Sequence, residues 1–179
     1  MFRKAGSADL AAIERIYEEV HTAEETGRQV IGWIRDVYPT GRTAKAALDR
    51  GDLFVLEEKG QILGAAVINQ IQVDVYEGAP WEHEGDVCVL HTLVISPNAG
   101  RKGLGKKFVS FYEQYAYEHG CLELRMDTNA RNQTARAMYR KLGYREIAIV
   151  PTVFNGIPGV DLVLLEKHLQ DGYAAQTDQ

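Results

Sequence analysis

The segment from Leu93 to Lys107 constrains this chain more than any other. An apolar, strand-like triplet, Leu93-Val94-Ile95, runs through Ser96-Pro97-Asn98-Ala99 into Gly100-Arg101-Lys102-Gly103-Leu104-Gly105, and an amphipathic helical pattern follows. Glycines two positions apart let the backbone turn tightly and present consecutive N–H groups. A helix that begins there adds its unpaired first-turn amides and the positive end of its dipole, an arrangement suited to phosphate. Arg101, Lys102, Lys106 and Lys107 place positive charge around the same turn.

Three phosphate-binding readings compete. A P-loop asks for G-x-x-x-x-G-K and then Ser or Thr; Gly100 to Lys106 fills the first part, but Lys107 stands where the magnesium-binding hydroxyl is needed. A dinucleotide fingerprint starting at Gly103 meets Phe108 where its third glycine should allow close helix–strand packing. The third reading is a coenzyme A pyrophosphate site. On these residues the chain resembles the GNAT superfamily of N-acetyltransferases, whose motif is an L-x-V strand followed by [Q/R]-x-x-G-x-[G/A]. Gly100 departs from that pattern, standing where Gln or Arg is usual.

A second motif lies about thirty residues downstream. Asn132-Gln133-Thr134-Ala135-Arg136-Ala137-Met138-Tyr139-Arg140-Lys141-Leu142-Gly143-Tyr144 resembles the family's N-x-x-A-x-x-x-Y-x-x-x-G-[F/Y] segment. By periodicity alone, Ala135, Met138, Tyr139 and Leu142 form one apolar stripe of a helix that Asn132 can cap and Gly143 can end, and Tyr139 then reads as a core aromatic. The resemblance implies more: a tyrosine beside the thioester sulfur, able to protonate the departing thiolate.

Composition sets the frame. The chain has 179 residues, 45% of them hydrophobic and 25% charged, an ordinary balance for one globular domain. Acidic residues outnumber basic ones, 25 to 20, and the basic ones concentrate near 101–107 and 125–145, which argues against a general nucleic-acid binder. Cys88 and Cys121 are isolated, without a metal-type or C-x-x-C spacing, so reduced thiols and no metal site are expected. No signal-peptide core and no membrane-length apolar run is seen, so a cytoplasmic protein is expected.

Along the chain, residues 1–5 read as a first strand. Leu10, Ile13, Ile16, Tyr17 and Val20 trace a helix face. Ile31, Ile34 and Tyr38 suggest a helix ended by Pro39, and Ala44, Ala47 and Leu48 one ended by Gly51. Residues 52–58 and 61–72 read as a hairpin about Lys59-Gly60, and Val87 to Ile95 as a central strand buried on both faces. Leu104, Phe108, Phe111 and Tyr115 mark a helix, Leu122 to Met126 a strand. Residues 144–154 and 160–167 read as two strands around Asn155 to Gly159. This order resembles the GNAT arrangement. It implies an α/β (α+β) fold with a mixed, mostly antiparallel central sheet of six to seven strands and about four to five flanking helices. One domain is expected over 1–167, with a disordered polar tail over 168–179.

The resemblance implies an acetyl-CoA-dependent enzyme that moves an acetyl group to a primary amine, of a small molecule or a peptide, by direct attack. Leu93, Val94 and Ile95 would pair with the pantetheine arm. The amides from Arg101 and Lys102 through Gly103, Leu104, Gly105 and Lys106 would hold the pyrophosphate, and Asn132 and Tyr139 would complete the coenzyme site, with Tyr139 as acid. His91 sits where arylalkylamine-type members relay the amine's proton; a core histidine is the equal alternative. Asp74 to Asp86 contains five carboxylates with two aromatics, and Tyr76, Trp81, Glu82, Glu84 and Asp86 would suit a cationic acceptor, unless this is merely a solvated loop. The competing class is a non-catalytic acyl-CoA-binding sensor. No nucleic-acid or membrane partner is expected, and a homodimer is compatible with the sequence.

Overall fold

Seven strands form one sheet among the residues that the computed structural model describes, 1–100 and 103–173. They are β1 (Phe2–Lys4), β2 (Leu53–Glu58), β3 (Gln61–Asn69), β4 (Val87–Ile95), β5 (Glu123–Asn129), β6 (Arg145–Phe154) and β7 (Ile157–His168). Their spatial order is β1-β2-β3-β4-β5-β7-β6, and only β4 and β5 pair in parallel. Four α-helices accompany them: α1 (Leu10–Glu25), α2 (Gly41–Arg50), α3 (Leu104–Glu118) and α4 (Gln133–Lys141).

Period-2 alternation in the central strands explains why both faces are covered. Leu53 and Val55 of β2 and Ala65 and Val67 of β3 pack with Ile13, Ile16, Tyr17 and Val20 of α1 and with Ala44 and Ala47 of α2. Their neighbours Phe54, Leu56, Ala66 and Ile68 point to the other face, against Phe108, Val109 and Tyr112 of α3 and Tyr139 of α4. Helix α2 stops where Gly51 takes a left-handed conformation, φ 76°, a position that suits glycine.

One irregularity shapes the site. In the β3–β4 ladder Ala65 pairs with Val94 and Val67 with His91, so Thr92 and Leu93 together oppose the single residue Ala66. Thr92 has φ 49°, unusual for a β-branched residue. Before this bulge the even positions Cys88 and Leu90 face α3; after it the odd positions Leu93 and Ile95 do, while Val94 turns to the α1 side. The bulge reverses which side of β4 faces which layer.

The segment expected to be a helix around Ile31, Ile34 and Tyr38 is irregular instead, with an isolated Ile34–Tyr38 bridge. Its apolar spacing imitates a helix, but Gly27, Gly32 and Asp36 adopt positive φ, and the Glu24 carboxylate accepts the N–H groups of Ile31 and Gly32 that a helix would use. The expected tail starts inside structure: β7 runs to His168, Leu169 is buried, and the Tyr173 hydroxyl donates to Glu113 Oε2 at 2.6 Å. Residues 174–179 lie outside the described residues.

Candidate active site

Strands β4 and β5 pair from Val87 with Glu123 to Leu90 with Met126 and no further. Beyond that point β5 continues on β7, Asp127 opposite Leu164, while β4 continues on β3 alone. The two parallel strands therefore part, and the β5-facing edge of Leu93–Ile95 is left without a strand partner. A cavity of about 770 Å³ fills the gap. Its sides are β4 from Leu90 to Ile95, β5 from Asp127 to Asn129, the α4 face with Asn132 and Tyr139, and residues 28–33 with Tyr38 and Phe154. The irregular 28–33 segment passes close over the end of β5. A Cβ on Gly32 would lie 2.3 Å from Asn129 Nδ2, so the crossing depends on glycine there.

The glycine turn lies where the sequence motif puts it. Gly103 caps α3 in a left-handed conformation, φ 65°, Leu104 is buried beneath it, and Gly105 lines the cavity. A Cβ on Gly105 would lie in ordinary contact with Met138 Sδ of α4, 3.4 Å away, so the start of α3 packs close beside α4 here. Lys106 is exposed in the first turn of α3; Arg101 and Lys102 lie outside the described residues. Asn132 caps α4, its Oδ1 accepting from the Ala135 N–H at 3.1 Å. Tyr139, two turns further along α4, is 7% exposed, and burial raises its hydroxyl pKa well above the ordinary tyrosine value. It is both a core aromatic and a cavity residue.

His91 also reaches the cavity. Its Nε2 lies 2.9 Å from Asn69 Oδ1, an oxygen that also accepts the Ile71 N–H, while Asn69 Nδ2 donates to Asp52. Asn69 therefore presents an acceptor to the ring, and His91 Nε2 is the donor. Burial lowers the His91 pKa to about 4, so the ring is neutral and weakly basic at physiological pH.

Asp127 was not singled out from sequence, yet it is the one carboxylate among the described residues that line the cavity. Burial raises its pKa to about 6, against the opposing effect of a hydrogen bond from Tyr76. Around it stand Tyr38, whose hydroxyl bonds Thr92 Oγ1 and is pushed up to about 12 by burial, and Tyr139. The available signal was position: a carboxylate toward the C-terminal end of a central parallel strand, where open α/β sheets place ligands.

The aromatic and acidic loop goes elsewhere. Tyr76 is buried and meets the site only through its bond to Asp127. The Trp81 ring lies under Arg125 at 4.1 Å, Glu82 pairs with Arg145, and Glu84 and Asp86 are exposed away from the cavity lining.

The comparisons with known proteins agree with this geometry. The structure of a GNAT-family acetyltransferase from Streptococcus agalactiae superposes with a TM-score of 0.76 at 22% identity over 96% of each chain. The yncA protein of Salmonella typhimurium, solved with its cofactor acetyl-CoA, gives 0.68 at 21% identity, covering 97% of this chain and 96% of that one. Among curated sequences, the uncharacterised N-acetyltransferase YhfO of Bacillus subtilis is 25% identical over 80% of this chain and 89% of its own length. The aminoglycoside N(6')-acetyltransferase type 1 of Klebsiella aerogenes is 27% identical over 60% of this chain and 68% of its own. The sequence model of the acetyltransferase (GNAT) family matches residues 10–144, which take in the glycine turn, the β4–β5 gap and the Tyr139 helix; the chain belongs to that family, and it is an N-acetyltransferase.

Proposed function

We propose that this protein acetylates a primary amine with a predominantly apolar or aromatic body, using acetyl-CoA. The observation that carries the reading is a single partly accessible carboxylate, Asp127, facing the cavity between the parted strands opposite Tyr139. The residues present suit the coenzyme: an unpaired strand edge at Leu93–Ile95 for the pantetheine amides, the α3 amides for the pyrophosphate, and a glycine at 105 where a side chain would narrow the way in. When bound, acetyl-CoA supplies the acetyl group as an activated thioester.

The chain's own residues then have separate tasks. Asp127, ionised above about pH 6, attracts the incoming ammonium and accepts its proton, which frees the lone pair that attack requires. A base of pKa about 6 is better matched to this than His91 at about 4, so His91 serves as a neutral wall of the pocket. Tyr139 holds a proton for the leaving sulfur. Trp33, Tyr38 and Phe154 give the acceptor a largely aromatic surround. Aminoglycosides carry several ammonium groups and ask for several carboxylates; one carboxylate fits a monoamine better.

The test is a panel of arylalkylamines, polyamines, aminoglycosides, amino acids and peptide N-termini, followed by thiol release from acetyl-CoA alongside thermal shift. Turnover strongest on apolar monoamines is expected. An acetyl-CoA shift with no turnover on any amine would replace this reading with the non-catalytic sensor.

A further inference from the structure

At the other end of β5 from the cavity, three metal-ligating side chains converge from three parts of the chain. Glu123 opens β5 and His168 closes β7, and the two are direct partners in the antiparallel register. His168 Nδ1 lies 2.7 Å from Glu123 Oε1. His83, from the loop between β3 and β4, stacks on His168 with ring centroids 4.7 Å apart and planes 22° from parallel. One ligand atom from each of the three lies within 4.8 Å of the others. From this juxtaposition we infer that His83, Glu123 and His168 form a binding site for a zinc-type divalent cation.

The scaffold is firm where a site needs it to be. Two of the donors sit at paired positions of adjacent strands. The third is on a loop whose backbone is held at the same residue, because Arg125 Nη2 donates to the His83 carbonyl at 3.0 Å while its guanidinium covers the Trp81 ring. Tetrahedral zinc, with bonds of about 2.0–2.2 Å, sets its donors roughly 3.3–3.5 Å apart. Reaching that spacing asks for side-chain rotations only: the hydrogen-bonded His168–Glu123 pair opens from 2.7 Å as the cation takes the place of the shared proton, and the exposed His83 turns toward it.

The chemistry of the donors selects the cation. Two imidazole nitrogens with one carboxylate oxygen suit zinc, whereas magnesium and calcium favour sets made largely of oxygen. Three protein ligands leave the fourth position to water or to a further group. Glu123 adds a second argument. It is 7% exposed, and among the described residues its carboxylate has one hydrogen-bond partner, His168. The neighbouring Arg125 is turned instead to Gln72 and the His83 carbonyl. Glu123 Oε2 has no protein partner among the described residues, which leaves it open to ligate a cation. A simple His168–Glu123 pair would account for two of the residues but not for the His83 imidazole set against them. Bound there, the cation would tie the 70–86 loop to the ends of β5 and β7 and stabilise the native state by mass action.

The experiment uses the full chain, stripped with chelator and then titrated with Zn²⁺ against a chromophoric competitor, with Mg²⁺ in parallel. One equivalent of Zn²⁺ is expected to bind and to raise the melting temperature, with Mg²⁺ giving neither effect. Because removing a ligand should exceed the 10–100-fold effect of second-shell changes, His83→Ala and His168→Ala are each expected to weaken Zn²⁺ binding by about 100-fold or more. The melting shift given by acetyl-CoA serves as the folding control in both variants. Absence of Zn²⁺ binding in the wild type overturns the inference. So does binding that survives unchanged in either variant, which would place the cation on the thiols Cys88 and Cys121 or elsewhere.

Discussion

The Tyr76 hydroxyl donates a 2.7 Å hydrogen bond to Asp127 Oδ2, and Trp81 Nε1 in turn donates to the Tyr76 carbonyl at 2.9 Å. The loop that the sequence suggests as an acceptor surface thus acts from behind. It orients the carboxylate through one oxygen and leaves the other for the cavity. The same bond moderates the rise that burial imposes on the Asp127 pKa.

Asp127→Asn separates stability from activity. The folded-state pKa is raised from 3.8 to about 6, so the protonation-linked stability is complete below about pH 4 and is lost as pH rises through 6. At pH 7.5 the ionised carboxylate subtracts from stability. The amide, still able to accept from Tyr76, should stabilise the protein there by on the order of 1–2 kcal/mol, less than the full shift because cavity water screens it. The advantage should vanish by pH 4, while single-turnover acetyl transfer falls roughly 10²- to 10⁴-fold. Denaturant melts at the two pH values and rapid-quench rates check both halves. A variant neither more stable at pH 7.5 nor slower would remove Asp127 from the mechanism.

The acid limb of kcat/KM should follow a group near pH 6, with no inflection near 4. His91→Gln should leave that limb in place. A limb that moves or disappears in the His91 variant would return the base role to the histidine.

Tyr139→Phe deletes a hydroxyl and keeps the ring that packs between α4 and the sheet. Turnover should fall about 10²- to 10⁴-fold with acetyl-CoA affinity and melting temperature near wild type. Single-turnover rates are the right comparison, because slow product release would mask the chemical step. A step within about threefold of wild type leaves Tyr139 a packing residue only.

Gly105→Val tests the coenzyme path. Gly105 lies within the first turn of α3 and lines the cavity, and an added side chain there would cover the first-turn amides proposed for the pyrophosphate, so acetyl-CoA binding should weaken by at least about tenfold with the fold retained. Gly103→Val is the poorer probe, since φ 65° strains a β-branched residue whatever it binds. ATP with magnesium should shift the melting temperature of neither wild type nor variant. Calorimetry with acetyl-CoA gives the answer directly.

Much of this architecture was legible because local rules and tertiary demands agree. Val87–Ile95 reads as a buried strand and is one, and the glycine turn and the Ala135–Met138–Tyr139 stripe stand where strand, turn and helix signals place them. The 31–38 segment imitates a helix in sequence because apolar spacing records burial but not the captured N–H groups or the left-handed residues. Asp127 carries no local signal for a related reason. Its place at the cavity depends on where β4 leaves β5, and that is a property of two strands together. His83, Glu123 and His168 are scattered through the sequence, and only strand register and loop return bring them together.

The two-against-one mismatch at Thr92 and Leu93 gives β4 two frames of alternation, in which the α3 layer takes the even positions Cys88 and Leu90 upstream and the odd positions Leu93 and Ile95 downstream. A substitution at Thr92 acts locally. Deleting it would remove the extra residue and leave a regular ladder, with Leu93 opposite Ala66 and Val94 opposite Ala65, and with Leu93 and Ile95 still toward α3. The bulge is thus a spare count in β4: loss of Thr92 is absorbed, whereas loss of Val94 would bring Ile95 opposite Ala65 and turn it toward α1.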